Sequence, residues 1–207
     1  MTAIPGQPRV GIPKGRLFDA VTAAFASAGF PLEVAARNYH PRCPGVTAFI
    51  LKPRSVPQMV ALGLLDMGLC GRDLVVESGY DDRLRVLADL GIQPVRVVAA
   101  SAQPDILAHP PRKPVVIATE FPSLADRWAT GHNLAHICIH TWGSTEAWAP
   151  AYADIVVDVV ETGETLRANG LTVLEEIMLS TTVLIGRADA PELADHPLAR
   201  SLGRRQS

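Results

Sequence analysis

Apolar runs of strand length alternate along the chain with stretches whose apolar positions repeat at helical spacing, and glycine or proline marks most of the joins. Residues 9–12 predict a short strand that leads at once into Pro13-Lys14-Gly15-Arg16. From residue 17 to 28, Leu17, Val21, Ala24, Phe25 and Ala28 share one helical face, and Gly29 suits the stop. Residues 46–51 read as the next strand. Ser55-Val56-Pro57 opens a helix by its N-cap and early-proline signals, and that helix ends at Gly63. Residues 67–70 form a short buried strand that meets Gly71-Arg72-Asp73 and a further helix, with Asp73 as its cap. Strands follow at 96–100 and 115–118, separated by a proline-rich loop at 104–114.

The second half repeats the idiom. A helix at 122–130 precedes strands at 134–139 and 155–160, and a short helix at 165–169 stops at Gly170. Residues 173–185, a polar/apolar mixture, read as one long extended strand crossing between lobes. The tail from residue 188 onward, with Arg204-Arg205, reads as a frayed helix or disordered segment. Strand–helix alternation of this kind implies parallel sheets covered by helices on both faces, an α/β protein.

Composition narrows the functional classes. The chain has 207 residues, 48% hydrophobic and 19% charged, enough for one large domain or two small ones. A net charge of −2 supplies no sequence-wide basic footprint for nucleic acid. No apolar run reaches the roughly 18 residues of a membrane span, and residues 1–7 carry no export pattern. Cys43, Cys70 and Cys138 are odd in number and widely spaced, which fits a reducing compartment better than a disulfide framework. The expectation is a soluble, cytoplasmic protein that binds neither nucleic acid nor membrane.

The most informative stretch is 153–171, ADIVVDVVETGETLRANGL. An apolar strand carrying Asp158 runs into Glu161-Thr162-Gly163-Glu164-Thr165, which opens a helix. A strand feeding a glycine turn at a helix N-terminus can hold an anion, because unpaired N–H groups and the positive dipole end converge there. The plain alternative is an ordinary connection with a threonine cap. Asp158, in the middle of IVVDVV, is costly to bury unpaired; it belongs to a solvated strand end or binds a partner such as sugar hydroxyls. Asp154 shares its strand face but lies roughly 13 Å away. Glu161 and Glu164 add negative charge and must point away from a phosphate, or sit near Mg²⁺ or a basic residue.

Lys14 and Arg16 flank Gly15 at a second strand–turn–helix junction, where cations oppose the helix dipole unless an anion shares the site. Gly71-Arg72-Asp73 and Gly143-Ser144-Thr145-Glu146 are further turns of the same form. Four such turns suggest a crevice at the carboxyl ends of the strands. Weaker candidates are His136, Cys138 and His140, alternating on one strand face without a fourth metal ligand, and Trp128, Trp142 and Trp148, for which core filling competes with stacking on a base. No Walker or dinucleotide glycine fingerprint is present.

These residues resemble a known family. Ile12-Pro13-Lys14-Gly15-Arg16-Leu17, the segment 65–73, Ile117-Ala118-Thr119-Glu120-Phe121-Pro122, Gly143-Ser144-Thr145-Glu146 and 153–171 occur in the order found in ATP phosphoribosyltransferase, the first enzyme of histidine biosynthesis. The stretch through 161–171 is the specific part, and the length resembles the family's short form. The resemblance implies a two-lobed α/β fold like periplasmic binding proteins of type II, with mixed, mainly parallel sheets. Lobe I would take residues 1–98 and 180–207, and lobe II residues 99–179 with the phosphoribosyl loop.

The implied reaction joins N1 of ATP to C1 of phosphoribosyl pyrophosphate and releases pyrophosphate, with Mg²⁺ present. On this resemblance Thr162, Gly163, Glu164 and Thr165, with Glu161 beside them, hold the 5′-phosphate, and Asp158, with Asp154, takes the ribose hydroxyls. Lys14 and Arg16 face the pyrophosphate or ATP phosphates; Gly15, Gly71, Asp73, Gly143, Ser144 and Glu146 complete the binding set. A homodimer joined by a histidyl-tRNA-synthetase-like regulatory subunit is implied as well. The sequence departs from the family's pattern at Lys52-Pro53-Arg54-Ser55, at Ala100-Ser101 and across 147–152, where Ala151 replaces a usual glycine; the C-terminal helix is also curtailed. The alternatives left open are a different nitrogen-heterocycle acceptor and a non-catalytic binding module on the same fold.

Overall fold

The computed structural model describes residues 6–204. The described residues up to Gln93 and from Thr181 onward form one compact unit, and Pro94–Ser180 the other. In the first unit, strands β1 (Arg9–Pro13), β2 (Thr47–Leu51), β3 (Met67–Gly71), β4 (Leu84–Asp89) and β10 (Thr182–Arg187) make one sheet in the order β2-β1-β3-β10-β4. The second unit's sheet has the order β7-β6-β8-β5-β9, from β5 (Val95–Ser101), β6 (Val115–Thr119), β7 (His136–His140), β8 (Ile155–Val160) and β9 (Thr172–Ser180). In each sheet four strands run one way and one, β10 or β5, runs against them. The sheets are therefore mixed and mainly parallel.

Both faces of each sheet are covered, which is why the strands read as nearly continuous apolar runs. In the first unit, helices α1 (Phe18–Ser27) and α6 (Pro197–Gly203) bury Val21, Phe25, Leu198 and Leu202 against Val10, Ile12 and Leu184. Helix α2 (Val56–Ala61) and α3 (Arg72–Glu77) cover the other face with Val56, Val60 and Val75. Gly11 and Gly68 are paired across β1 and β3, and a Cβ on Gly68 would collide with Val56. That glycine lets α2 lie directly on the sheet. In the second unit, α4 (Pro122–Gly131) packs Ala125, Trp128 and Ala129 over Val97, Ile117, Ile155 and Val157. Leu166, on the short α5 (Glu164–Ala168), closes the other face with Val98, Ala118 and Val156.

Several expectations change. The segment expected as one strand over 173–185 does pass from one unit to the other, but as two strands, β9 and β10, separated at Thr181 and placed in different sheets. Strand β4 was not foreseen; it is a half-buried edge strand without clean alternation. All of β5 pairs within the second sheet, so the chain leaves the first unit at Gln93 rather than at 98. The tail is ordered: a 3₁₀ turn (Pro191–Asp195) leads into α6, whose Leu198 and Leu202 are fully buried. The i, i+4 pair of leucines supplies the apolar stripe that holds it down. Arg205 lies outside the described residues, as do the first five residues of the segment read for an export pattern. Ser55 makes no capping bond, and Gly71 rather than Asp73 occupies the cap position of α3. No described helix is long and apolar enough to cross a membrane.

Candidate active site

Parallel pairing of β7, β6 and β8 brings their carboxyl ends to one edge of the second unit. Thr119 at the end of β6 is level with His140 of β7 and Val157 of β8. Glu120, the 143–146 turn and the loop after β8 therefore emerge together. Asp158 and Glu146 line a concavity of about 320 Å³ with Glu161, Thr162, Gly163, Glu164 and Thr165. This is where open α/β sheets place ligands.

Asp158 is half-buried, and burial pushes its carboxyl up to about 6. A hydrogen bond from Thr145 and one from the Val159 N–H (2.7 Å) hold it down, while Glu120 and Glu146 push it up. Ser144 sits in the left-handed region at φ 50° and Gly143 at φ 110°, a turn that buries Thr145 completely while Trp142 is 84% exposed. Thr145 lay inside a recognised turn, yet its hydroxyl was not singled out. Glu120 belongs to the 117–122 motif, and nothing in spacing alone places it beside Asp158.

Gly163, not a threonine, caps α5, with φ 75° in the left-handed region. That conformation suits glycine. The Thr162 hydroxyl accepts from the Glu164 N–H at 3.3 Å. Glu161, Glu164 and Thr165 are exposed. Arg167, absent from the sequence candidates, reaches back so that a Cβ on Gly163 would lie 3.9 Å from its Nη1. It is the nearby cation that offsets the acids of this loop, and its i+4 spacing from Gly163 is the signal that points to it.

Asp154 is not part of this cluster. It stands at the other end of β8, accepting from the Val116 N–H at 2.9 Å and pairing with Lys113 at 3.8 Å. Its backbone carbonyl accepts from Ser101, one of the departures from the family pattern. Asp154 fastens the amino end of the strand, and a straight strand keeps it away from Asp158. Among the remaining candidates, His136 bonds the Leu134 carbonyl and Asp126, and His140 stacks on Trp142 at 4.2 Å between ring centroids. Trp128 is core, with its Nε1 donating to Glu175, and Trp148 packs edge-on to Tyr152.

In the first unit, β1 and β3 are parallel, so the 14–16 and 71–73 turns sit at the same edge. Lys14, Gly15 and Arg16 are exposed, Gly15 at φ 88°. The Lys14 ammonium donates to the Tyr39 hydroxyl at 3.0 Å and lies 4.9 Å from its ring centroid. That hydrogen bond holds the phenol below its ordinary range. Tyr39 carried no sequence signal. Gly71 and Asp73 are buried, and Arg72 pairs with Asp89 at 3.0 Å. Lys14, Gly15, Arg37 and Tyr39 share a second concavity of about 550 Å³.

Two mixed α/β sheets, with polar turns gathered at the carboxyl ends of their parallel strands, define a two-lobed fold of the periplasmic-binding-protein type. A histidine kinase sensor domain with similarity to periplasmic binding proteins matches with a TM-score of 0.56 at 11% identity, over 97% of this chain and 90% of that one. The chain belongs to the ATP phosphoribosyltransferase (HisG) family, whose model matches residues 52–205. An ATP phosphoribosyltransferase of Chlorobium phaeovibrioides is 34% identical over 193 residues, covering 86% of this chain and 62% of the relative. One from Nitratidesulfovibrio vulgaris is 34% identical over 191 residues, 86% of this chain and 63% of the relative. The chain thus spans under two thirds of the length of these curated relatives. The ATP phosphoribosyl transferase (HisG:HisZ) complex of Thermotoga maritima matches in fold with a TM-score of 0.79 at 24% identity, over 96% of this chain and all of that one.

Proposed function

We propose that this chain joins N1 of ATP to C1 of phosphoribosyl pyrophosphate and releases pyrophosphate, the first step of histidine biosynthesis. The observation that carries the reading is the gathering of Asp158 and the 161–165 turn around one concavity in a member of this family. The Asp158 carboxylate accepts hydrogen bonds from the ribose hydroxyls. The Thr162–Thr165 turn receives the 5′-phosphate on hydroxyls and first-turn N–H groups, with Arg167 offsetting Glu161 and Glu164. Lys14 and Arg16 bind diphosphate or ATP phosphates.

Bond formation needs no general base, because adenine N1 is unprotonated at neutral pH. The N1 lone pair forms the bond to C1 as the C1–O bond breaks and its electron pair leaves with pyrophosphate. Positive charge develops on the sugar, and Asp158, Glu120 and Glu146 set a negative field that favours it. Among the described residues, no three His, Cys, Asp or Glu side chains gather to hold a metal ion. In this reading Mg²⁺ enters as part of the magnesium–diphosphate substrate. On this reading the reaction is cytoplasmic. A homodimer completed by a regulatory subunit of the histidyl-tRNA-synthetase type follows from the same reading, and the neighbouring complex in Thermotoga maritima supports a partner subunit.

The test is pyrophosphate release from phosphoribosyl pyrophosphate, Mg²⁺ and ATP, with Asp158→Asn alongside and with other nitrogen heterocycles replacing ATP. Release that requires ATP and collapses in the variant is expected. Release with another heterocycle and none with ATP overturns the acceptor assignment.

A further inference from the structure

A chain of buried hydroxyls leads to Asp158. Thr145 is 0% exposed and Thr141 2%, and their Oγ atoms are 2.9 Å apart. An ionised carboxylate only accepts, so Thr145 gives its single hydroxyl proton to Asp158, and Thr141 in turn gives its own to Thr145. The Thr141 N–H is fixed on the Thr119 carbonyl at 2.8 Å. The chain thus links the ends of β6, β7 and β8 before reaching the carboxylate. Buried hydroxyls without partners destabilise a fold, whereas valine fills the same volume without that demand. The 143–144 turn, with Ser144 in the left-handed region, delivers Thr145 inward to both partners.

We propose that Thr145 is a positioning residue that holds the Asp158 carboxylate in one orientation for the ribose hydroxyls, with Thr141 directing its hydroxyl. This rests on Asp158 being the ribose ligand. The groups facing Asp158 make such help necessary. Glu120 comes from the end of β6, Glu146 from the turn that carries Thr145, and Glu161 and Glu164 from the loop after β8. Arg167 of α5 lies beyond Gly163, and β5 sets uncharged Val98 opposite. Burial and the neighbouring carboxylates favour the protonated form. Thr145 and the Val159 N–H favour the charged one.

The experiment measures phosphoribosyl pyrophosphate binding by calorimetry from pH 5.5 to 8.5 for the wild type, Thr145→Val, Thr145→Ser, Thr141→Val and Asp158→Asn. The Asp158 carboxyl is also titrated by carbon-13 NMR without ligand. The ligand's own phosphates titrate alike in every protein, so differences between proteins isolate Asp158. Thr145→Val is expected to move the Asp158 titration, and with it the acid limb of binding, up by about one pH unit. Affinity then falls about tenfold at pH 5.5 and under threefold at pH 8.5. Thr145→Ser restores both, and Thr141→Val moves them in the same direction by less. Melting curves check folding, and if Thr145→Val does not fold, the Thr141→Val titration decides. An unmoved titration, with binding still abolished in Asp158→Asn, overturns the role of Thr145 and leaves the ribose assignment standing. Unchanged affinity in Asp158→Asn overturns the assignment itself.

Discussion

The carboxyl edges of the two sheets share one architecture and differ in their electrostatics. At the edge of the second unit, Asp158 is half-buried among carboxylates and pinned by buried hydrogen bonds. At the edge of the first, Lys14 and Arg16 are exposed on a glycine turn, and the Lys14 ammonium is engaged by the half-exposed Tyr39. One edge is preorganised, and on the proposed reading it takes the sugar that becomes cationic; the other is solvated, and on that reading it takes diphosphate or ATP phosphates. The contrast teaches that the same strand–turn–helix unit takes its chemistry from the few residues at the turn, while the sheet beneath fixes only where they stand.

The contrast can be broken most severely at Asp158. Asp158→Asn is expected to lower kcat/KM by about 10³-fold, because a preorganised group beside developing charge acts in a poorly solvated site. Lys14→Met, at the solvated edge, is expected to lower it by about tenfold. Steady-state kinetics decides between these magnitudes, and equal losses would erase the distinction.

A stability measurement comes next. Leu202→Ala is expected to cost about 2–4 kcal/mol in urea unfolding, because Leu202 is fully buried in the first unit's core. A loss below about 0.5 kcal/mol is what a frayed tail would give.

The pH dependence of stability separates the units by sign. Asp158 titrates at about 6 in the folded chain against 3.8 ordinarily. The native state therefore holds its proton longer, and stability rises as pH falls from 6 towards 4, by on the order of 2 kcal/mol. Asp66 and Asp89 respond oppositely. Burial raises each carboxyl, but hydrogen bonds from Arg9, and from Thr181, Gly91 and Arg72, outweigh it and leave both below the ordinary value. Their contribution is present above the unfolded carboxylate pKa and is lost as pH falls through the folded values. Unfolding followed from pH 7 to 3 should show the gain before the loss, and Asp158→Asn should remove the gain alone. The smallest expected effect is that of Tyr39→Phe, which removes one exposed hydrogen bond and should change KM by less than threefold.

Much of the fold was legible because its signals are local. The apolar runs of β1, β3, β6 and β8 and the stripe of α1 carry their identity in consecutive residues, and the turns around Gly163 and Gly15 announce themselves through glycine. The resemblance already put the return to the first lobe at 179/180, but the break between β9 and β10 was not legible, since Thr181 differs in no local way from its neighbours and the two strands part only because they pair in different sheets. The site divides the same way. Asp158 and the 161–165 turn are contiguous, so the strand–turn–helix pattern delivers them together. The resemblance paired Asp154 with Asp158, whereas the strand's rise already set them apart, and the structure keeps Asp154 at the amino end of β8.

By itself the sequence determined the α/β class, the family and the strand–turn–helix at 161–165, because each is written in short-range pattern and in residues close along the chain. The tertiary structure alone decided that Glu120, Thr141 and Thr145 converge on Asp158 and that Tyr39 meets Lys14. Those relations join residues 13 to 38 positions apart. Only strand order and register bring such residues together, and only burial gives their hydrogen bonds and charges their strength.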